Sequence, residues 1–192
     1  MSFLGKIFSR ASSKSKEAKL VLLGSSGAGK TTLVRYLETG KPVDGDPKTT
    51  LGIDIRRTPI VLDGWSFKAI DVGGQEIYQK TFWLLGVEQA DAVIYVIDGT
   101  TKFSESNDLW ETSVFQFDYM LSLVDNDVPL LILINKQDLK ELSPLTTEEA
   151  IKFYGMQKLA GRSFIVLPSS AKYGDGVQNA MQWLAEKINS KK

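Results

Sequence analysis

The sequence contains no cysteine. That excludes disulfides, thiolate metal sites and thioester-linked lipid, and it fits a reducing compartment. Histidine is also missing, so no imidazole is available as base, proton shuttle or metal ligand. Chemistry on this chain has to run on positioned amides, carboxylates, lysines and metal. No apolar run approaches the roughly 20 residues of a membrane-crossing helix, so no integral span is expected. Excess charge is lacking too, because 23 Lys and Arg balance 23 Asp and Glu. With 43% apolar and 24% charged residues in 192, the expectation is one folded domain with short tails.

The balanced charge is unevenly spread. Residues 1–19 hold Lys6, Arg10, Lys14, Lys16 and Lys19 against Glu17, a net +4, which leaves −4 on the rest. A basic arm on an acidic body points to an anionic surface met by the arm, not to nucleic acid bound by the body. Within the arm, Phe3, Leu4, Ile7, Phe8 and Ala11 fall in an arc of roughly 140° at helical spacing, flanked by Lys6 and Arg10. This is the pattern of an interfacial membrane helix. A helix packed on the domain, or an unstructured tail, would carry the same residues. Three turns barely cover the cost of nucleation, so the helix needs a lipid surface or a groove. Lys6 and Arg10 interrupt any signal-peptide h-region. Ser12 to Lys19 reads as a polar linker, which places an arm and linker at 1–18 and the domain at 19–192.

The stretch that organises the domain is Gly24-Ser25-Ser26-Gly27-Ala28-Gly29-Lys30-Thr31, a complete G-x-x-x-x-G-K-S/T. An apolar run, Lys19 to Leu23, precedes it, and helical spacing at Leu33, Val34 and Leu37 follows. Strand, glycine loop and helix are the context this motif needs to cradle phosphate. The glycines let successive N–H groups point at phosphate oxygens, and the helix aims its positive end at the same anion. Lys30 then reaches the β and γ phosphates, and the Thr31 hydroxyl is a ligand for Mg²⁺.

Further on, turn formers from Gly40 to Pro47 predict a loop leading to Thr50. Ile53–Leu62 and Trp65–Val72 read as strands joined by Asp63-Gly64, a hairpin signal. The second strand ends in Asp71-Val72-Gly73-Gly74-Gln75-Glu76, and a helix is expected over 76–86. Ala92–Ile97 and Pro129–Ile134 are continuous apolar runs, the mark of strands buried on both faces. The second leads to Asn135-Lys136-Gln137-Asp138. Helical spacing covers 104–124. Thr146 and Glu149 form a capping box. A last strand, Ser163–Leu167, leads to Ser170-Ala171-Lys172, and a helix over 177–188 closes the chain. Strands alternating with helices predict an α/β fold: a mostly parallel six-stranded sheet with one antiparallel hairpin strand and helices on both faces. The motifs then converge on one sheet edge.

These motifs, in this order and spacing, resemble the small GTPases. D-V-G-G-Q followed by an acidic residue, T-x-G ahead of the hairpin, and N-K-Q-D look like the Arf family in particular. The resemblance covers residues 19–190, and the amphipathic arm is also Arf-like. It implies a guanine-nucleotide pocket made by Gly24, Ser25, Ser26, Gly27, Ala28, Gly29, Lys30, Thr31, Thr32, Thr50, Gly74, Asn135, Lys136, Asp138, Ser170, Ala171 and Lys172. Asp138 would accept from the guanine N1 and exocyclic amine. Asn135 would support the base loop, Lys136 would lie along the base, and the Ala171 N–H would meet the guanine oxygen. Thr31, Thr50 and Asp71 would hold Mg²⁺, the Gly74 amide would contact the γ-phosphate, and Gln75 would orient the attacking water beside Lys30 and Thr50.

The pattern also departs from the family. Ser26 stands where most Arf proteins carry aspartate. Ile70 stands for tryptophan, and Ile53 and Leu85 complete the family's aromatic effector patch on an ungapped reading, so the usual effectors are not assumed. Ser2 is incompatible with N-myristoylation, and no terminal cysteine permits prenylation. Asp46, Pro47 and Lys48 precede Thr50, so no arginine acts in cis, and hydrolysis is expected on the order of 10⁻⁴ to 10⁻² per second without a partner. The resemblance implies a monomeric GDP/GTP switch in the cytoplasm, reversibly bound through residues 1–16 to the cytosolic face of a membrane. An exchange factor, an activating protein and effectors would complete it, in vesicle trafficking. The alternative is a non-switching GTP-binding scaffold subunit of a membrane-associated complex.

Overall fold

A computed structural model of the chain describes residues 16–45, 50–55, 60–62, 65–73, 79–101 and 108–191. The arm over 1–15, the Asp63-Gly64 turn, and Gly74 and Gln75 lie outside the described residues.

Alternation along the central strands decides the layers. In β1 (Lys16–Leu23), Leu20 and Leu22 join one apolar layer while Val21 and Leu23 join the other. The same split separates Ile94 and Val96 from Val93, Tyr95 and Ile97 in β5 (Ala92–Asp98). In β6 (Leu130–Asn135) it separates Leu131 and Leu133 from Leu130, Ile132 and Ile134. Strands apolar on both faces need cover on both. One side is covered by α1 (Lys30–Thr39) and α5 (Val177–Lys191), through Leu33, Val34, Leu37, Val177, Leu184 and Ile188. The other is covered by α3 (Asp108–Leu123) and α4 (Thr147–Phe153), through Trp110, Phe117, Met120 and Ala150.

The strand order is β2-β4-β1-β5-β6-β7, with β2 (Ile53–Ile55), β4 (Trp65–Val72) and β7 (Phe164–Pro168); β3 (Ile60–Leu62) also pairs with β4. β4, β1, β5, β6 and β7 are parallel, and β2 and β3 run antiparallel to β4. The expected mostly parallel α/β sheet with antiparallel hairpin pairing is present; it has seven described strands, the run expected over 53–62 being described as β2 and β3. Ile55 faces Ile70 while Ile60 faces Phe67, so the edge carries two residues more than β4 over that span.

Two expectations are corrected in detail. β1 begins at Lys16, three residues ahead of the expected domain start, because Lys16, Glu17 and Ala18 pair with Trp65, Ser66 and Phe67. Backbone pairing needs no apolar side chain, and Lys16 and Glu17 remain exposed. The helix expected over 76–86 is, in its described part, a π turn at Gln79–Trp83 followed by α2 (Leu84–Val87). Trp83 is fully buried there, its Nε1 donating to the Gly73 carbonyl at 3.1 Å. Short 3₁₀ turns at Lys140–Leu142 and Met156–Leu159 carry no apolar periodicity to announce them. The capping box forms as expected: Glu149 N donates to Thr146 Oγ1 at 3.2 Å, and Thr146 N to Glu149 Oε2 at 2.8 Å.

Candidate functional site

Parallel strands bring their C-terminal ends to one edge. Gly24 follows β1, Asp71 sits near the end of β4, Asp98 and Asn135 end β5 and β6, and Ser169-Ser170 follow β7. The loop between β1 and α1 fits this edge only as glycine at two points. A Cβ on Gly24 would lie 2.2 Å from the Val96 carbonyl oxygen, and one on Gly29 would lie 2.2 Å from Asn135 Nδ2. Gly29 is left-handed, with φ +100°, and starts α1 without a side-chain cap. The first-turn amides of a ten-residue helix therefore keep their donors for an anion. Ser26 and Gly27 are exposed, and Thr32 is half-buried in the first turn of α1.

Lys30 is buried, and its Nζ donates to the carbonyls of Gly24 and Ser25, each at 2.8 Å. Burial pushes its pKa down to about 8, partly offset by the Asp71 carboxylate. An ammonium held at such cost gains most when a polyanion arrives, which suits a phosphate grip.

Thr31, Thr50 and Asp71 come from three separate segments and meet. Thr31 Oγ1 donates to Asp71 Oδ2 at 2.5 Å, Thr50 Oγ1 lies 3.2 Å from the same oxygen, and the two hydroxyls are 3.0 Å apart. Asp71 is fully buried, and its Oδ1 has no hydrogen-bond partner. Among the described residues no cluster of three or more carboxylate, histidine or cysteine side chains is placed to hold a metal. One carboxylate and two hydroxyls are hard oxygen donors that leave room for phosphate and water. That set fits Mg²⁺, which is held by few protein ligands beside a phosphate.

The other wall of the site is built around Asn135, 3% exposed. Its Nδ2 donates to the Ala28 carbonyl at 2.7 Å, and its Oδ1 accepts from the Ala171 N–H at 2.7 Å. One side chain thus ties the phosphate loop to the loop after β7. The Ala171 N–H, expected toward a guanine oxygen, is here given to Asn135. Lys136 sits at φ +67° with its Nζ on Asp98 Oδ2 at 2.7 Å, and Asp98 Oδ1 accepts from Thr100 N and Oγ1. Asp138 is half-buried, and its carboxylate has no hydrogen bond among the described residues, so it is available to a donor pair. Ser170 is fully buried and accepts from Tyr173 N at 3.2 Å; Lys172 is exposed, and its carbonyl accepts from Val43 N at 2.9 Å.

The geometry therefore gathers a phosphate seat, a hard-cation seat and an acid-bearing base wall along one edge. A model described as the ADP-ribosylation factor family matches residues 4–188. The chain belongs to that family. It is 31% identical over 179 residues to ADP-ribosylation factor-like protein 1 of Drosophila melanogaster, covering 93% of each chain. It is also 31% identical over 176 residues to ADP-ribosylation factor-like protein 3 of Chlamydomonas reinhardtii, covering 91% of this chain and 93% of that one. Among solved structures it is similar to the Arl6 small GTPase of Trypanosoma brucei with bound nucleotide analogue GppNp. The TM-score is 0.76 and the identity 22%, over 92% of this chain and 100% of that one. The fold is accordingly that of a small GTPase, and the ADP-ribosylation factor family binds guanine nucleotide and hydrolyses GTP.

Sequence reasoning passed over several residues here. Asp98, the ion-pair partner of Lys136, had one signal: an acid at the C-terminal end of a buried strand. Ser113 and Gln116, which meet Ser25 of the phosphate loop from outside it, and Tyr154 behind Ser113, had none. Ile70, placed on an effector patch, is buried at 9% exposure, and Ile53 is half-buried. Exposed apolar side chains among the described residues include Leu51, Ile55, Leu84 and Leu85.

Proposed function

We propose that this member of the family is a GDP/GTP switch that hydrolyses GTP slowly and couples nucleotide state to membrane binding and effector recruitment. The observation that carries the reading is the meeting of Thr31, Thr50 and Asp71. Thr50 precedes β2, and Asp71 pairs with Asp54 in β2. A group that holds all three fixes the start of the hairpin, and its loss frees it.

In this reading the loop amides and Lys30 bind the phosphates, and Asp138 selects guanine with Asn135 bracing the loop behind it. Mg²⁺, when bound, would supply positive charge that offsets the charge developing on the phosphates in the transition state. Asp71 and the hydroxyls of Thr31 and Thr50 would hold it. Gln75 would orient the attacking water, and Lys30 would stabilise charge on the departing phosphate. No histidine exists to act as base, so catalysis rests on positioning, and a partner has to supply further charge. Residues 1–16, basic and amphipathic, would meet the anionic cytosolic face of a membrane when the hairpin displaces them.

The test is flotation on anionic vesicles of protein loaded with GDP or a non-hydrolysable GTP analogue, with a variant lacking residues 1–16 beside it. Flotation of the analogue-loaded, full-length form alone is the expected result. Equal flotation of both nucleotide forms, or none, refutes the coupling. Hydrolysis of GTP by the protein alone should stay in the slow range given above. A fast intrinsic rate removes the need for an activating partner.

A further inference from the structure

The backbone of Ser25 belongs to the phosphate loop, but its side chain turns the other way. Ser25 Oγ donates to Gln116 Oε1 at 2.6 Å and lies 3.3 Å from Ser113 Oγ. Ser113 Oγ is in turn 2.7 Å from the Tyr154 hydroxyl. Gln116 is 3% exposed, Ser113 5% and Tyr154 1%, so these are buried polar groups in a wall otherwise made of Trp110, Phe117 and Met120. Ser25 has one hydroxyl proton, which favours the shorter contact. The longer contact, to Ser113 Oγ, is also one in which Ser25 Oγ is the donor, and between Ser113 and Tyr154 either hydroxyl can donate. Buried polar chains of this kind are costly when broken and hold their members in one arrangement when complete.

The same residue meets the phosphate seat from its other side. The Ser25 carbonyl accepts from Lys30 Nζ at 2.8 Å, and Ala28 N donates to it at 3.3 Å. Ser25 is thus held through its side chain by α3 and through its carbonyl by the lysine that grips phosphate. A shift of α3 by a fraction of a hydrogen-bond length is passed to the Lys30 seat without any intervening flexible segment.

We infer that Ser25 and Gln116 are positioning residues through which α3 sets the lifetime of the bound nucleotide. This rests on the guanine-nucleotide pocket described above, and adds to it Gln116, a residue outside the motifs, and a role for the side chain of Ser25 within the phosphate loop. Neither side chain points at the phosphates. They act by fixing the Ser25 carbonyl, and through it Lys30.

The experiment measures release of a fluorescent GDP analogue from the full-length protein in Mg²⁺, for wild type, Ser25→Ala, Gln116→Met and the double variant. Met120→Ala, on the same helix, fully buried and one turn beyond Gln116, serves as the stability control. Each single variant should release the analogue about tenfold faster, the scale of one lost buried hydrogen bond. The double variant should be no faster than either single, because both remove one contact. Met120→Ala should lower the melting temperature at least as much and change release by less than about twofold. Unchanged release in Ser25→Ala and Gln116→Met overturns the inference. So do single effects that multiply, or a Met120→Ala release rate that rises with its loss of stability. Failure of the wild type to bind the analogue would instead overturn the pocket itself.

Discussion

Replacing Asn135 by alanine leaves two buried backbone groups without partners: the Ala28 carbonyl and the Ala171 N–H, each at 2.7 Å from the lost amide. An orphaned buried polar group costs about 1–3 kcal/mol, so the pair comes to about 2–6 kcal/mol. A domain of this kind has about 5–15 kcal/mol in all. The change should lower the melting temperature by about 5 °C or more, taking roughly 2–4 °C per kcal/mol at this chain length. Urea unfolding at two fixed GDP concentrations, both with Mg²⁺, separates the terms. The part that varies with GDP is lost binding, and the part that does not is the broken clamp. Asn135→Asp keeps an acceptor for Ala171 but sets a carboxylate oxygen against the Ala28 carbonyl, so it should lose binding while retaining one of the two bonds. A concentration-independent loss below about 1 kcal/mol for Asn135→Ala would show that the two loops do not depend on this side chain.

Two further outcomes follow from the phosphate and metal seats. The pKa of Lys30 is lowered from 10.5 to about 8, so below pH 8 the native state carries the full cost of a buried ammonium. As pH rises from about 8 to 10.5 the native state sheds that proton while the unfolded chain keeps it, and stability rises by up to about 3 kcal/mol. Nucleotide-free wild type should therefore gain stability relative to Lys30→Met across that window, and a constant difference between the two would refute the assignment. Thr31→Ala removes the hydroxyl shared with Thr50 and Asp71. Chelating Mg²⁺ should speed GDP release from wild type by tenfold or more on the scale of about 1.4 kcal/mol per decade, and should change little in the variant.

Much of this site was legible because its signals are local. A glycine loop between an apolar run and an amphipathic helix, and acids or amides at the ends of buried strands, place themselves on one edge once the strands are parallel. What was not legible depends on contacts between distant segments. Lys16 and Glu17 read as linker because their side chains are charged, yet their backbones pair with Trp65 and Ser66. Ser25 reads as one more loop residue, and only the packing of α3 shows where its hydroxyl goes. Ile70 and Leu85 look alike as apolar substitutes in an effector patch. The first is buried, paired with Ile55 in the sheet, and the second is 53% exposed beside Leu84 in α2, which follows the π turn at Gln79–Trp83. Periodicity cannot announce a turn with one residue too many.

If the hairpin slides as the proposed switch requires, the sheet restricts how far. Phe67 and Ala69 face the α1 and α5 layer, and Ile70 and Val72 face the α3 layer. A slip of one residue along β1 would exchange these faces and drive Lys68 into the first layer, so the smallest allowed step is two residues, about 6.6 Å. That step carries Asp71 away from its place opposite Leu22 and breaks its 2.5 Å bond to Thr31. The present register is latched at its far end by Trp65, fully buried, whose Nε1 donates to Asn189 Oδ1 in α5 at 2.9 Å. Asn189→Ala removes that latch while leaving the pocket untouched. One hydrogen bond of about 1 kcal/mol shifts the register equilibrium by up to about fivefold. Affinity for a GTP analogue should fall relative to GDP by up to that factor, because only the present register joins Thr31, Thr50 and Asp71. Titration of both nucleotides into wild type and variant measures the ratio. An unchanged ratio alongside a lowered melting temperature would mean that Trp65 and Asn189 hold the sheet together without choosing its register.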